Sequence, residues 1–233
     1  RAASEAGGWG EKVQVFAGSS SACAYLRASV AITGTMAHLA YVVFDGTCTS
    51  PQYTRVYYRA CSLLDGSCGV TEQVASASSA YGYQITWADL ALDAGGNPHV
   101  VWARYYGNGS YSQIFYKTRD VGGWPSGDGE RVDTLDSRKN NTPAIAWGGG
   151  RAHVVWENET AGAISYRRRD ANGMWDSSVS HLYATLYYPP HNPDVAAGAG
   201  RVFVVWDVLQ DPDYVLYSLL YRRSNDNGGN FSA

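Results

Sequence analysis

Lysine is nearly missing from this 233-residue sequence: Lys12, Lys117 and Lys139 are the only ones among 18 basic residues, and the rest are arginine. With 21 acidic residues and a formal net charge of −3, the chain lacks the basic face that a phosphate backbone requires, so no nucleic-acid partner is expected. No apolar run approaches the roughly 20 residues of a membrane span, and no segment carries a helical period. Neither a spanning segment nor a long helix is therefore expected. The first residues carry no secretory leader, which reads as a mature product or a fragment. The four cysteines, Cys23, Cys48, Cys61 and Cys68, show neither Cys-x-x-Cys spacing nor a nearby pair of histidines, which argues against a metal site. Two aspartates at 211 and 213 are too little to assign calcium. A Gly-x-Ser-x-Gly elbow and a phosphate-cradling loop are absent too, and no cofactor is expected.

Glycine, tyrosine and tryptophan are abundant, at 26, 18 and 8 residues, a composition of tight turns and aromatic strands. A strand pattern recurs at intervals of roughly fifty to sixty residues, which marks a repeat architecture. AYVVFD (40–45), HVVWAR (99–104), HVVWEN (153–158) and FVVWDV (203–208) are each followed by a second strand: VYYRA to Ala60, IFYKTRD to Asp120, ISYRRRD to Asp170 and LLYRRSND to Asp226. Short, evenly spaced strands select an all-β propeller of four-stranded antiparallel blades, about four of them. The expected blades are 28–78, 79–136, 137–184 and 185–233 of one domain. The last repeat lacks its fourth strand, and 1–27 is read as supplying it through residues 11–16, closing the ring and covering an open edge. The alternative is one piece of a larger array.

Cys61 and Cys68 bracket the turn LLDGS, where the other repeats carry a hairpin. A disulfide is expected there, with Cys23 to Cys48 as the second, and both imply a secreted or cell-surface protein. The sequons at Asn108, Asn140, Asn158 and Asn230 are compatible with that location.

The turn after the second strand of each repeat has its own pattern. SNDNGGNF (224–231) follows Ser-x-Asp-x-Gly-x-Thr-Trp, with Asp226, Gly228 and Phe231 in the Asp, Gly and Trp places; RRDANGMW keeps Asp170 and Trp175, and TRDVGGW keeps Asp120 one residue short. On these residues the chain resembles the bacterial neuraminidase-repeat (Asp-box, sialidase-like) propellers. The box has a structural cause, because its carboxylate accepts backbone N–H bonds, its Gly takes positive φ, and its ring packs over the hairpin. The resemblance places the box on the face away from the ligand, so Asp120, Asp170 and Asp226 are read as structural.

Positions that repeat in type are read as packing ladders: His99 and His153 with Tyr41 and Phe203 in the same slot, Phe44 with Trp102, Trp156 and Trp206, and Tyr58 with Tyr116, Tyr166 and Tyr221. The singular residues fall at the opposite end of the strands. After the aromatic come Asp45, Glu157 and Asp207, and Arg104 lies one residue beyond the Ala103 slot. The loops entering the inner strands carry Tyr25, Arg27, Tyr81, Tyr83, Arg138, Tyr187, Tyr188 and His191. Exposed tyrosines with scattered polar groups stack on sugars or anchor proteins. A sialidase, as the resemblance would imply, needs three arginines to clamp the substrate carboxylate, a Tyr nucleophile with a Glu partner, and an Asp acid/base. Arg27, Arg104 and Arg138 are near the right face without diagnostic spacing, and no Arg-Ile-Pro motif is present. The expectation is therefore a non-catalytic scaffold recognising carbohydrate or protein. A sialidase-like exo-glycosidase and a structural subunit of an extracellular polymer, either homo-oligomeric or polymeric, are the alternatives.

Overall fold

The computed structural model describes residues 15, 28–47, 50–78, 82–107, 111–134, 138–185, 187–211 and 216–232, with the side chains of 45–52, 210, 211 and 216 outside the description. The expected Cys23–Cys48 disulfide and the closing strand 11–16, apart from Val15, lie outside these residues.

Four antiparallel sheets follow one another along the chain. The first holds β1 (Ala28–Thr33), β2 (Met36–Thr47), β3 (Ser50–Ser62) and β4 (Glu72–Ser78). The second holds β5 (Gln84–Leu92), β6 (Pro98–Tyr106), β7 (Tyr111–Thr118) and β8 (Glu130–Arg131). The third holds β9 (Asn140–Gly148), β10 (Arg151–Asn158), β11 (Ala163–Asp170) and β12 (Ser180–Ala184). The fourth, with three strands among the described residues, holds β13 (Pro190–Gly198), β14 (Arg201–Asp211) and β15 (Leu216–Ser224). The inner strands β1, β5, β9 and β13 pack successively against one another around an axis, so the sheets are the blades of an all-β propeller. No helix among the described residues is long and apolar enough to cross a membrane.

Three cores lie between successive blades. Ala40, Val42, Val56 and Tyr58 meet Ile85, Leu90, Val100 and Trp102; Val101, Ile114 and Tyr116 meet Ile145, Val154 and Trp156; Val155, Ile164 and Tyr166 meet Val195, Val204 and Trp206. Each buried tryptophan removes roughly 200 Å² from water, on the order of 5 kcal/mol before entropy is subtracted. The same sequence type behaves differently in the last blade, which no further blade follows among the described residues. β6 and β10 are buried on both faces, whereas β14 alternates: Val202 and Val204 are buried, and Phe203 between them is 42 % exposed.

Strand register corrects the first repeat of the sequence alignment by three residues. Val101 and Val155 pair with Tyr116 and Tyr166, and the residue pairing with Tyr58 is Ala40. His38, two residues before Ala40, therefore holds the slot of His99 and His153, and Tyr41 holds that of Trp102 and Trp156; neither Tyr41 nor Phe44 occupies the slot expected from sequence. The chemistry agrees with the register. His38 Nδ1 and His153 Nδ1 meet the hydroxyls of Tyr58 and Tyr166 at 2.6 and 2.7 Å, and His99 Nδ1 meets that of Tyr116. In the fourth blade Phe203 stacks on Tyr221 instead, 4.8 Å between centroids.

The scarce lysine and plentiful arginine also have a structural use. One residue past the ladder tyrosines of the second and third blades, a long cation reaches back to the outer edge of the preceding blade: Lys117 Nζ to the Val74 carbonyl (2.8 Å) and Arg167 Nη1 to the Val132 carbonyl (2.7 Å). Arg59 Nη1 reaches the Val15 carbonyl in the same manner. Farther along, Arg119 holds Glu72 and Arg169 holds Glu130, both through two nitrogens. These bidentate pairs strap one blade to the next.

At the end where these straps sit, each Asp turn closes on its own backbone. Asp120 Oδ1 accepts Gly122 N (2.7 Å), Asp170 Oδ1 accepts Asn172 N and Met174 N (3.0 and 2.9 Å), and Asp226 accepts Ser224 Oγ, Asn230 N and Asn230 Nδ2 (2.6 to 2.8 Å). The hydrogen bonds from Ser224 and Asn230 hold the Asp226 carboxyl well below the usual range. The aromatic that follows does not cover its own hairpin, as the sequence suggested. Trp124, Trp175 and Phe231 pack edge-on against Tyr58, Tyr116 and Tyr166 of the preceding blade. In the first blade the turn is closed by the Cys61–Cys68 disulfide, within which Asp65 accepts Ser67 N and Ser67 Oγ, lowering its carboxyl to about 2.

Candidate functional site

The inner strands share the sequence ASVA (28–31), ADLA (88–91), PAIA (143–146) and PDVA (193–196). The aliphatic residue of the last three, Leu90, Ile145 or Val195, is buried in a core between blades, whereas Val30 of the first is 62 % exposed. Register makes Ser29, Asp89, Ala144 and Asp194 equivalent, opposite Ala40, Val101, Val155 and Val205. Bulges interrupt β5, β9 and β13 just before these positions, and Thr142 and Asn192 adopt positive φ there, 43° and 50°. Such irregularities re-aim the chain at the mouth of a sheet.

Ser29, Trp87, Asp89, Pro143, Asn192 and Asp194 line an axial cavity of about 580 Å³. Asp89 is held across three blades: Oδ1 accepts Ser29 Oγ at 2.5 Å and Oδ2 accepts Ile145 N at 2.8 Å. Burial nevertheless pushes its carboxyl above the usual range, opposed by those hydrogen bonds and reinforced by the charge of Asp194. Asp194 is exposed to the cavity, and Val195 N donates to its Oδ1 at 2.8 Å. Two carboxyl groups of unlike surroundings thus face one space.

Glu157 stands beside this cavity. It is buried, accepts Thr142 Oγ1 at 3.2 Å and meets His191 Nδ1 at 2.7 Å. Thr142 and His191 are the chain neighbours of the lining residues Pro143 and Asn192. Burial raises the Glu157 carboxyl, with His191 and Thr142 opposing. A second pocket, about 270 Å³, lies to one side and is lined by Asp133, Arg138, Asn158, His181 and others over Trp156.

Of the residues expected to bind a ligand, Glu157 and His191 come together, with Asp207 opposite His191 in the β13–β14 register. Arg138 lines the second pocket. Arg104 does not reach a site: it is buried, lies over the Phe115 ring at 4.6 Å and pairs with Asp128 at 3.0 Å. Tyr83 packs edge-on against Tyr106, which stacks on Tyr111. Tyr187 and Tyr188 are exposed on the loop between β12 and β13. Tyr25, Arg27, Tyr81 and the Asp45 side chain lie outside the described residues. By register the partner of Glu157 and Asp207 in the first blade is Val42, so Asp45 is not their equivalent. The axial pair Asp89 and Asp194 escapes the sequence reading because the recurring aromatics mark the strand after the inner one. The signal is nonetheless present in the aligned inner strands, where one column reads Ser, Asp, Ala, Asp. Among the described residues no group of three or more His, Cys, Asp or Glu could hold a metal ion.

No family model matches the sequence, and no curated protein matches it. Solved structures do. A family-43 endo-arabinanase from Bacillus licheniformis aligns at TM-score 0.56 and 15 % identity, over 88 % of this chain and 73 % of that one. An α-L-arabinofuranosidase from Fusarium graminearum aligns at 0.57 and 13 %, over 87 % and 63 %. An exo-β-1,3-galactanase from Phanerochaete chrysosporium aligns at 0.56 and 10 %, over 88 % and 48 %. At such identities the likeness carries the propeller fold alone, and the chain spans about half of the galactanase. The expectation of a non-catalytic scaffold is nonetheless overturned by these comparisons, because the propellers sharing this architecture are glycoside hydrolases. The sequence pointed elsewhere for a physical reason: the conspicuous ladder residues serve packing between blades, while the carboxyl groups that line the axial cavity, Asp89 and Asp194, lie on the inner strands, outside the recurring aromatic pattern.

Proposed function

We propose that the chain is a glycoside hydrolase-type propeller acting on a neutral glycan, with its chemistry at the axial cavity. The observation that carries this is the pair Asp89 and Asp194, two carboxyl groups of different environment on one cavity wall. Glycoside cleavage needs one carboxyl that delivers a proton to the leaving oxygen and one that activates water or attacks the sugar. Asp89, whose proton affinity burial raises, suits the first role; Asp194, exposed to the cavity, suits the second. Glu157 positions the bulge that carries Asp194 through its contact with His191. Among the described residues, no arginine lines the axial cavity, which speaks against the sialidase-like reading. The hydrogen-bonded turn at Asp226 supports the Asp-box resemblance as a structural trait, and the Cys61–Cys68 disulfide supports an extracellular location.

The test is turnover of arabinan, β-1,3-galactan and matching aryl glycosides by the wild type, Asp194→Asn and Asp89→Asn. A loss of about 10²-fold or more in kcat for each variant is expected. Undiminished turnover in both variants, or no turnover of any neutral glycoside by the wild type, would overturn the proposal.

A further inference from the structure

Resting on the glycosidase reading for its biological setting but not for its test, we propose that the pocket beside the third blade binds a carboxylate-bearing sugar, a uronic acid residue, through Arg138. The Arg138 guanidinium is half-buried at the pocket wall and makes no hydrogen bond or ion pair with any described residue. The guanidinium groups of Arg59, Arg104, Arg119, Arg167 and Arg169 are engaged in straps or stacks, whereas that of Arg138 has no such partner among the described residues and lies on a pocket wall. A planar guanidinium fork fits a carboxylate through two parallel hydrogen bonds.

The rest of the wall fits a sugar. Ser177, Ser178 and Asn158 offer hydroxyl and amide groups, His181 an imidazole, and the buried Trp156 a floor. At about 270 Å³ the space falls at the low end for ligand pockets and suits one monosaccharide better than a chain. The carboxylate already present does not oppose an anion. Asp133 is buried, takes Arg131 Nε at 3.0 Å and Asn140 Nδ2 at 2.7 Å, and so is neutralised within the wall. Among the described residues, Glu159 is hydrogen-bonded to Asn141 and Asp176 is paired with Arg168, and Lys139 adds a cation next to Arg138. The imidazole of His181 senses the guanidinium: burial lowers its proton affinity, and the charge of Arg138 lowers it further.

Placement ties this pocket to the axis. Asn140 lines it, and Pro143, three residues along the same strand, lines the axial cavity. At about 3.3 Å per residue the two sites are separated by about 10 Å, within reach of one branched glycan.

The experiment is titration with D-galacturonate, followed by calorimetry and by the His181 ring resonances, with D-galactose and inorganic phosphate as comparison probes. Galacturonate is expected to saturate the wild type and to shift the His181 resonances and raise the His181 pKa; galactose should bind at least about tenfold more weakly. Arg138→Met, which keeps the apolar stem, should lose that preference and itself raise the His181 pKa; Arg138→Lys should retain part of it. Equal binding of galactose, equal binding of phosphate, or unchanged galacturonate binding by a folded Arg138→Met would each overturn the proposal. Because no turnover is measured, a failure of the axial chemistry leaves this result readable.

Discussion

Replacing Tyr166 by phenylalanine puts the histidine–tyrosine ladder to a quantitative test. His153 is fully buried, and its Nε2 lies 3.1 Å from the Gly148 carbonyl. A carbonyl only accepts, so Nε2 carries the proton and Nδ1 must accept one; the Tyr166 hydroxyl donates it at 2.7 Å. Burial also keeps this imidazole neutral by lowering its proton affinity. Removing one oxygen leaves a buried acceptor without its donor, at a cost of about 1–3 kcal/mol. In a chain of this length each kcal/mol moves Tm by about 2–4 °C, so Tyr166→Phe should unfold about 2–12 °C earlier. The matching position in the fourth blade supplies the control. Tyr221 is 61 % exposed and stacks on Phe203 rather than on a histidine, so Tyr221→Phe should stay within about 0.5 kcal/mol of the wild type. Calorimetry and urea midpoints at neutral pH measure both. Equal losses in the two variants would refute the assignment of the hydroxyl to the imidazole.

Three further outcomes follow from the same geometry. Burial lowers His99 from 6.5 to about 4, so between these values the unfolded chain takes up a proton that the folded chain does not. Stability is complete above the upper value and should fall as pH drops through the window, by about 1.4 kcal/mol per unit for this residue; His99→Phe, which copies the residue type at Phe203, should flatten urea-midpoint-versus-pH curves by about one proton. A Cβ on Gly228, at φ 76°, would fall 1.8 Å from the Tyr166 hydroxyl, whereas one on Gly150, at φ 74°, meets nothing within 4 Å. Gly150→Ala should therefore cost about 1–2 kcal/mol and Gly228→Ala clearly more, compared by urea midpoint. Reducing Cys61–Cys68, or changing both to serine, should cost about 2 kcal/mol by loop entropy while the far-ultraviolet spectrum of the sheets is retained.

Much of the architecture is readable in the sequence because packing between blades is periodic. Several residues that touch a neighbouring blade repeat in kind, and Trp102, Trp156 and Trp206 declare their role by recurrence. The first repeat misleads because AYVVF imitates HVVW locally. Only pairing across strands shows that His38, not Tyr41, meets the ladder tyrosine. The box aromatics read as covers for their own hairpins because a sequence cannot show that Trp175 lies on Tyr116 of the blade before. Glu157 and His191 are visible as unusual residue types, but their contact joins the end of β10 to the start of β13, and no local pattern encodes that.

The column Ser29, Asp89, Ala144, Asp194 shows where packing ceases to decide. The next residue is always aliphatic, Val30, Leu90, Ile145 or Val195, and the one after is always alanine; Leu90, Ile145 and Val195 are buried in the cores between blades. A desolvated aspartate at such a place is a poor structural choice. Burial and the charge of Asp194 raise the Asp89 carboxyl, so the folded state holds its proton to higher pH than the unfolded chain, and stability falls as pH rises through that interval. Asparagine would keep both contacts, its oxygen accepting Ile145 N and its amide donating to Ser29 Oγ, without the desolvated charge. Asp89→Asn should therefore be at least as stable as the wild type at pH 7, and its advantage should shrink as pH falls toward the ordinary carboxylate range. A residue retained against stability is one retained for chemistry. If urea unfolding shows instead that Asp89→Asn loses more than about 1 kcal/mol at pH 7, the carboxylate is a structural pin between three blades, and the axial chemistry must be assigned to Asp194 and Glu157 without it.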